Sequence, residues 1–157
     1  MLGSALSDQP GRTSEAIEHL RAAVRIDSDS TLAHLTLANM LVRREDPGAI
    51  AEYEAVLRRD PRHFQARYNL GTYLLDVPGR LEDAIGHLQA AVDIRPDNAE
   101  AHLNLGIALA DAPARLQDAI RQLEAALEIK PRLTQAEGLL KELRSEAARQ
   151  PDPRARQ

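Results

Sequence analysis

The chain of 157 residues contains no cysteine and no tryptophan, and only one phenylalanine and three tyrosines. Lacking cysteine, it forms no disulfide and no thiolate metal site, an absence that says nothing of compartment. With aromatic residues at 3%, the core has to be built from Leu, Ala, Ile and Val, which suits close-packed helices better than a β-sandwich or barrel. No apolar run approaches the roughly 20 residues that cross a bilayer. Residues 1–10 have neither a basic start nor a signal-like apolar stretch. The expectation is a soluble, cytoplasmic chain without membrane insertion. Positive charge is also in short supply: 20 Lys+Arg against 24 Asp+Glu leave a net charge of −4. A nucleic-acid footprint is usually strongly basic, so nucleic acid is not an expected partner. Absent, finally, are a Gly-rich phosphate loop, a His-Glu-x-x-His and a Gly-x-Ser-x-Gly.

What is present is a repeat. Residues 98–131 read as two amphipathic helices with a tight connection. The first carries Leu105, Gly106 and Leu109 and the second Ala119, Ile120, Leu123, Ala126 and Leu127, at the spacings of three and four that line one side of a helix. Gly106, Ala119 and Ala126 are small enough for one helix axis to approach another closely. Pro131 stops the second helix, having no N–H to give. The same unit recurs upstream. Asn69-Leu70-Gly71 precedes Asn104-Leu105-Gly106 by 35 residues, and Pro61, Pro96 and Pro131 are spaced by 35. Ala84, Leu88 and Ala91 return as Ala119, Leu123 and Ala126. Ala49, Tyr53 and Val56 form the copy before, and Ala16, Leu20 and Ala23 the one before that. A period of about 34 residues is the signature of a helical solenoid.

This pattern resembles the tetratricopeptide repeat family, in which a Leu-Gly pair on helix A faces small, large and small residues on helix B, followed by proline. The match runs through Leu70-Gly71, Leu74, Ala84, Leu88, Ala91 and Pro96, then through Leu105-Gly106, Leu109, Ala119, Leu123, Ala126 and Pro131. The sequence departs from it where helix A lacks the usual Trp, holding His34, Arg67 and His102 instead. Two interhelix loops carry an extra residue (Val77-Pro78-Gly79-Arg80 and Ala112-Pro113-Ala114-Arg115), a variant that resembles a bacterial branch of the family. The resemblance implies an all-α fold, a right-handed α-solenoid of antiparallel helix-turn-helix repeats. The expected layout is a single solenoid over residues 1–149. It comprises a partial repeat at 1–28, full repeats at 29–61, 62–96 and 97–131, and a capping helix at 132–149. A disordered tail is expected at 150–157.

Each end has its own reading. Leu2-Gly3 stands 13 residues before Ala16, as Gly71 does before Ala84, so residues 2–6 read as the tail of a helix A whose beginning is missing. Helix B of that repeat, about residues 13–26, is then under-covered, and self-association into a homo-oligomer through this incomplete repeat is an expectation. At the other end the segment 133–149 keeps an apolar stripe at Leu139, Leu140 and Leu143 but lacks the Leu-Gly pair in register. It reads as a terminal cap with a polar outer face.

Residues able to do chemistry are present but not assembled for it. His19 and His87 are 68 apart, as are His34 and His102, which is two repeat periods. Each pair therefore lies roughly 20 Å apart or more if hairpins stack at about 10 Å, too far to share a metal whose bonds to histidine are about 2 Å. His63 has no evident partner. The carboxylate pairs Glu15/Glu18 and Glu52/Glu54 sit on helices rich in arginine, where solvated charge is the ordinary reading. The turns Pro10-Gly11-Arg12, Pro78-Gly79-Arg80 and Pro113-Ala114-Arg115 have the look of anion sites before a helix, yet turn chemistry explains their Pro and Gly. No enzyme, catalytic residue, metal or cofactor is expected.

The family resemblance places helix A along an inner groove and implies peptide binding there. Its groove positions fall on Leu32, Leu35, Asn39 and Arg43, then on Gln65, Tyr68, Asn69, Thr72 and Asp76, and finally on Glu100, Leu103, Asn104, Ile107 and Asp111. Candidate contacts are Leu35, Asn39, Tyr68, Asn69, Thr72, Leu103, Asn104 and Ile107. Asn69 and Asn104 match an asparagine that in relatives bonds the backbone of an extended peptide, since an amide both donates and accepts. Relatives that clamp a C-terminal carboxylate have basic residues where this chain has Leu35, Gln65 and Glu100, so such a clamp is not expected. The reading is a non-catalytic scaffold that binds a protein or peptide segment with apolar anchors and a basic residue. The alternatives are a docking or regulatory segment of a larger enzyme, such as a glycosyltransferase, and a self-assembling structural module.

Overall fold

The computed structural model describes residues 10–112 and 114–149. Expectations for residues 2–6, for Pro113 and for the tail 150–157 lie outside the described residues. Among the described residues the structure is all-α: α1 Pro10–Ile26, α2 Thr31–Val42, α3 Gly48–Arg59, α4 Phe64–Leu75, α5 Leu81–Ile94, α6 Ala99–Ala110, α7 Leu116–Ile129 and α8 Thr134–Arg149. The chain divides into two compact units, Met1–Asn69 and Leu70–Gln157. In the first, α1 packs on α2 and α2 on α3. In the second, α5 packs on α6, α6 on α7 and α7 on α8.

Local chemistry sets the helix ends. Ser30 Oγ accepts from Ala33 N at 3.4 Å and Asn98 Oδ1 from Ala101 N at 2.8 Å, each satisfying a donor that the first turn leaves orphaned. His63, for which the sequence offers no partner, does the same for α4: its Nδ1 accepts from Ala66 N at 3.3 Å. Before Pro61, the carboxylate of Asp60 accepts from Arg62 N at 3.0 Å and shapes the turn. Three of the interhelix turns contain a left-handed residue. One is Gly79 (φ 77°), and the others are Glu45 (φ 55°) and Ala114 (φ 62°), which strain where glycine does not.

The small-large-small stripe of each second helix forms the core. Ala49, Tyr53 and Val56, then Ala84, Leu88 and Ala91, then Ala119, Leu123 and Ala126 are all at most 1% exposed. Opposite the last two stripes stand glycines in close contact. A Cβ at Gly71 would lie 2.7 Å from Leu88 Cγ, and one at Gly106 would lie 2.9 Å from Leu123 Cγ. The leucine fills the space that the missing side chain leaves, which is why these helices approach so closely.

Candidate peptide-binding faces on the first helices

The first helix of each hairpin carries the candidate contacts, and each unit is taken by itself. In the first unit Asn39 is exposed on α2, while Leu35 on α2 and Tyr68 and Asn69 on α4 are half-buried. Tyr53 reaches up from α3, and its hydroxyl donates to Asn39 Oδ1 at 2.6 Å. Asn69 Nδ2 donates to that same oxygen at 2.9 Å. Burial pushes the Tyr53 phenol up to about 12, with the Asn69 side chain pulling the other way. Tyr68 stacks on Phe64 with ring centroids 5.8 Å apart, so one turn of α4 holds its ring in place.

In the second unit Thr72, Asn104 and Ile107 are half-buried, and Asn104 Nδ2 donates to Thr72 Oγ1 at 3.0 Å. Thr72 holds the place in its repeat that Asn39 holds in the preceding one. The two asparagines therefore do the same thing, each tying its helix to the previous first helix. One N–H of each amide is committed inside the protein, an arrangement invisible in the sequence because the partners lie 30 and 32 residues away. α8 continues the register, with Leu139 in the asparagine position and half-buried. There the polar clasp is replaced by an apolar side chain.

Leu103 corrects an expectation. It is 5% exposed and belongs to the core, offering a ligand almost no surface. Leu32, conversely, is 74% exposed. Around these faces Arg43, Gln65, Asp76 and Asp111 are exposed. Glu100 is answered by Lys130, whose Nζ donates to its carboxylate at 2.8 Å and holds that carboxyl below its usual range.

The slot where the family has tryptophan works as a clasp as well. His34 Nε2 donates to Ser28 O at 3.1 Å, Arg67 Nε to Pro61 O at 3.0 Å and His102 Nε2 to Pro96 O at 3.0 Å. In each case the acceptor lies six residues back, so the side chain ties the helix to the turn before it. The other ring nitrogen of His34 pairs with Glu52 Oε2 at 2.6 Å, and that of His102 with Gln122 Oε1 at 2.8 Å. Both histidines are 8% exposed. Both ring nitrogens of each are thus occupied within the protein. Two of the turn arginines are likewise occupied: Arg80 pairs with Asp83, and Arg115 with Asp118 at 3.5 Å and Glu82 at 3.8 Å. Among the described residues no group of three or more His, Cys, Asp or Glu is placed to hold a metal, and no helix is long and apolar enough to cross a membrane.

The family model for the TPR repeat matches residues 78–111, which are α5 and α6 with their flanking turns. Over those residues the chain matches a tetratricopeptide repeat. No curated protein matches it in sequence. Among solved structures it is similar to MamA, at 22% identity and a TM-score of 0.82 over 88% of this chain and 80% of that one. It is similar to YrrB, described as a TPR protein with an unusual peptide-binding site, at 23% identity and a TM-score of 0.72 over 83% of this chain and 67% of that one. The first TPR of Spaghetti (RPAP3), bound to the HSP90 peptide SRMEEVD, superposes at 21% identity and a TM-score of 0.70 over 78% of this chain and 96% of that one. At such identities the likeness is one of fold.

Proposed function

We propose that this tetratricopeptide array is a non-catalytic protein-interaction scaffold that takes a peptide segment on the exposed sides of its first helices. The observation that carries the reading is the recurring asparagine clasp, Asn69 with Asn39 and Asn104 with Thr72. It holds amide and hydroxyl groups half-exposed next to apolar surface from Leu35 and Tyr68 in one unit and Ile107 in the other. Amides can pair with a peptide backbone whatever its side chains, while the apolar neighbours select anchors. YrrB and the RPAP3 repeat, each a peptide binder by description, lend the reading fold-level support.

The ligand differs in chemistry from SRMEEVD. Leu35 and Gln65 bring no positive charge, and Glu100 brings a carboxylate already matched by Lys130, so no cationic clamp awaits a carboxy terminus. Asp76 and Asp111, both exposed, favour a segment with apolar anchors and a basic residue.

Peptide display on the parent chain, run beside Tyr68→Ala and Ile107→Ala, tests this. Both residues are half-buried, so their truncation removes ligand surface without emptying the core. Enriched peptides should carry an apolar anchor with Lys or Arg, and one or both variants should lose them about tenfold or more, the weight of a good apolar contact. Peptides captured equally by parent and both variants would place binding elsewhere.

A further inference from the structure

One large residue in the core stripe of the second helices is unlike the others. Leu88 and Leu123 end against Gly71 and Gly106 and bring nothing polar. In the first unit the same place on α3 holds Tyr53, and the glycine's place on α2 holds Ala38; they are 1% and 0% exposed. Tyrosine is the longer side chain, and its hydroxyl comes up beneath Asn39, donating to Oδ1 at 2.6 Å. Asn39 itself is exposed. A buried core residue thus has its one side-chain polar atom at the face of the first helices. The chain's aromatic residues also gather around this face: all four lie between positions 53 and 73, and aromatic side chains are the usual anchors of binding energy.

What the hydroxyl does there follows from the donors and acceptors it meets. The amides of Asn39 and Asn69 face each other, and two facing amides can bond in either direction, because each has both a donor and an acceptor. The proton of Tyr53 breaks that tie. Buried beside the pair, it needs an acceptor, and Asn39 supplies one only when its oxygen is turned inward. Asn69 Nδ2 donates to the same oxygen at 2.9 Å, which fills both of its lone pairs. Burial keeps the phenol protonated up to about 12, so the donor is present throughout the neutral range. Asn39 Nδ2 is left without an acceptor among the described residues. In the second unit nothing breaks the tie. Asn104 donates to Thr72 Oγ1, a hydroxyl that can rotate, and the stripe residue of that hairpin is Leu88.

We propose that Tyr53 is a positioning residue that fixes the direction of the Asn39–Asn69 pair, so that Asn39 turns its two donors outward and reads an acceptor, the main-chain carbonyl of a bound peptide. Asn69 sets its own oxygen beside those donors. The first unit therefore presents a donor next to an acceptor, which matches the C=O and N–H that one residue of an extended chain turns to the same side. Recognition by Asn39 rests on the peptide-binding role proposed above, whereas the direction of the pair stands without it.

Two measurements on the full chain separate these parts. Thermal melts read the direction of the pair. A carboxylate at 69 can only accept, so in Asn69→Asp either that carboxylate or the Tyr53 hydroxyl loses its partner, and Tm should fall by about 3 °C or more. In a Tyr53→Phe background Asn39 can turn over and donate to the carboxylate, so the same substitution should lower Tm by less than half as much. Equal losses in the two backgrounds overturn the fixed direction. Fluorescence anisotropy reads recognition, with the peptide most enriched by display on the parent chain as the probe and at high salt, where charge attraction is screened. Asn39→Asp keeps an oxygen for Tyr53 and Asn69 but replaces the outward donors by a second oxygen, and should weaken binding about tenfold or more. Tyr53→Phe leaves half of the pairs facing the wrong way and should weaken it about twofold. Binding that Asn39→Asp leaves unchanged overturns the role of Asn39 while the scaffold reading stands. Display that enriches no peptide overturns the scaffold reading and recognition by Asn39 together, and the melts still decide the direction of the pair.

Discussion

Replacing Gly106 by alanine sets two known effects against each other. Alanine is the better helix former by about 1 kcal/mol, so on an open helix face the change stabilises. At Gly106, however, the new Cβ would meet Leu123 Cγ and Cδ2 at 2.9 Å and the carbonyl oxygen of Ala119 at 3.4 Å. Leu123 is 0% exposed and has nowhere to go, and overpacking of this kind costs about 1–3 kcal/mol. The net expectation is a loss of up to about 2 kcal/mol. Gly138 on α8 supplies the control, since a Cβ there has nothing within 4 Å, and Gly138→Ala should gain about 0.5–1 kcal/mol. Urea unfolding followed by circular dichroism reads both variants. The decisive comparison is made in a Leu123→Ala background, where the obstructing side chain is gone and Gly106→Ala should turn from destabilising to stabilising. If Gly106→Ala matches Gly138→Ala in the parent chain, or keeps its sign when Leu123 is removed, close approach is not what demands glycine here.

Ala114 sits at φ 62°, so Ala114→Gly should raise stability by about 1 kcal/mol, the ordinary cost of a left-handed non-glycine residue; urea midpoints that do not rise refute it. Glu52→Leu strips a buried histidine nitrogen of its partner and should cost about 1–3 kcal/mol, and Gln122→Leu should do the same around His102; a neutral effect in thermal melts would show that these pairs are incidental. Tyr53 holds its proton to about 12 in the folded protein against about 10 unfolded. Its contribution is complete below pH 10 and is lost between pH 10 and 12, because the unfolded chain releases that proton first. Stability of the parent should therefore fall more steeply than that of Tyr53→Phe across this window, and parallel curves would contradict the assignment.

The helices, their limits to within a few residues and the residues of their cores were legible in the sequence. They depend on near neighbours: a 3.6-residue turn, a side chain that caps three residues on, a proline that cannot donate. Gly71 and Gly106 were legible too, because a repeat shows the same demand more than once. What a side chain does across helices was not. Asn69 and Asn104 read as free ligands for a peptide, yet each is tied to a residue on another helix. His63 read as unpartnered, yet it caps a helix. Leu103 read as part of the groove surface because its family position faces the groove, but packing leaves it 5% exposed. Periodicity depends on rotation about one helix axis, so sequence alone determined the helices and the faces they bury. Exposure and pairing depend on distances between axes, set by which residue is small and which neighbour fills the gap, and only the tertiary structure decided those.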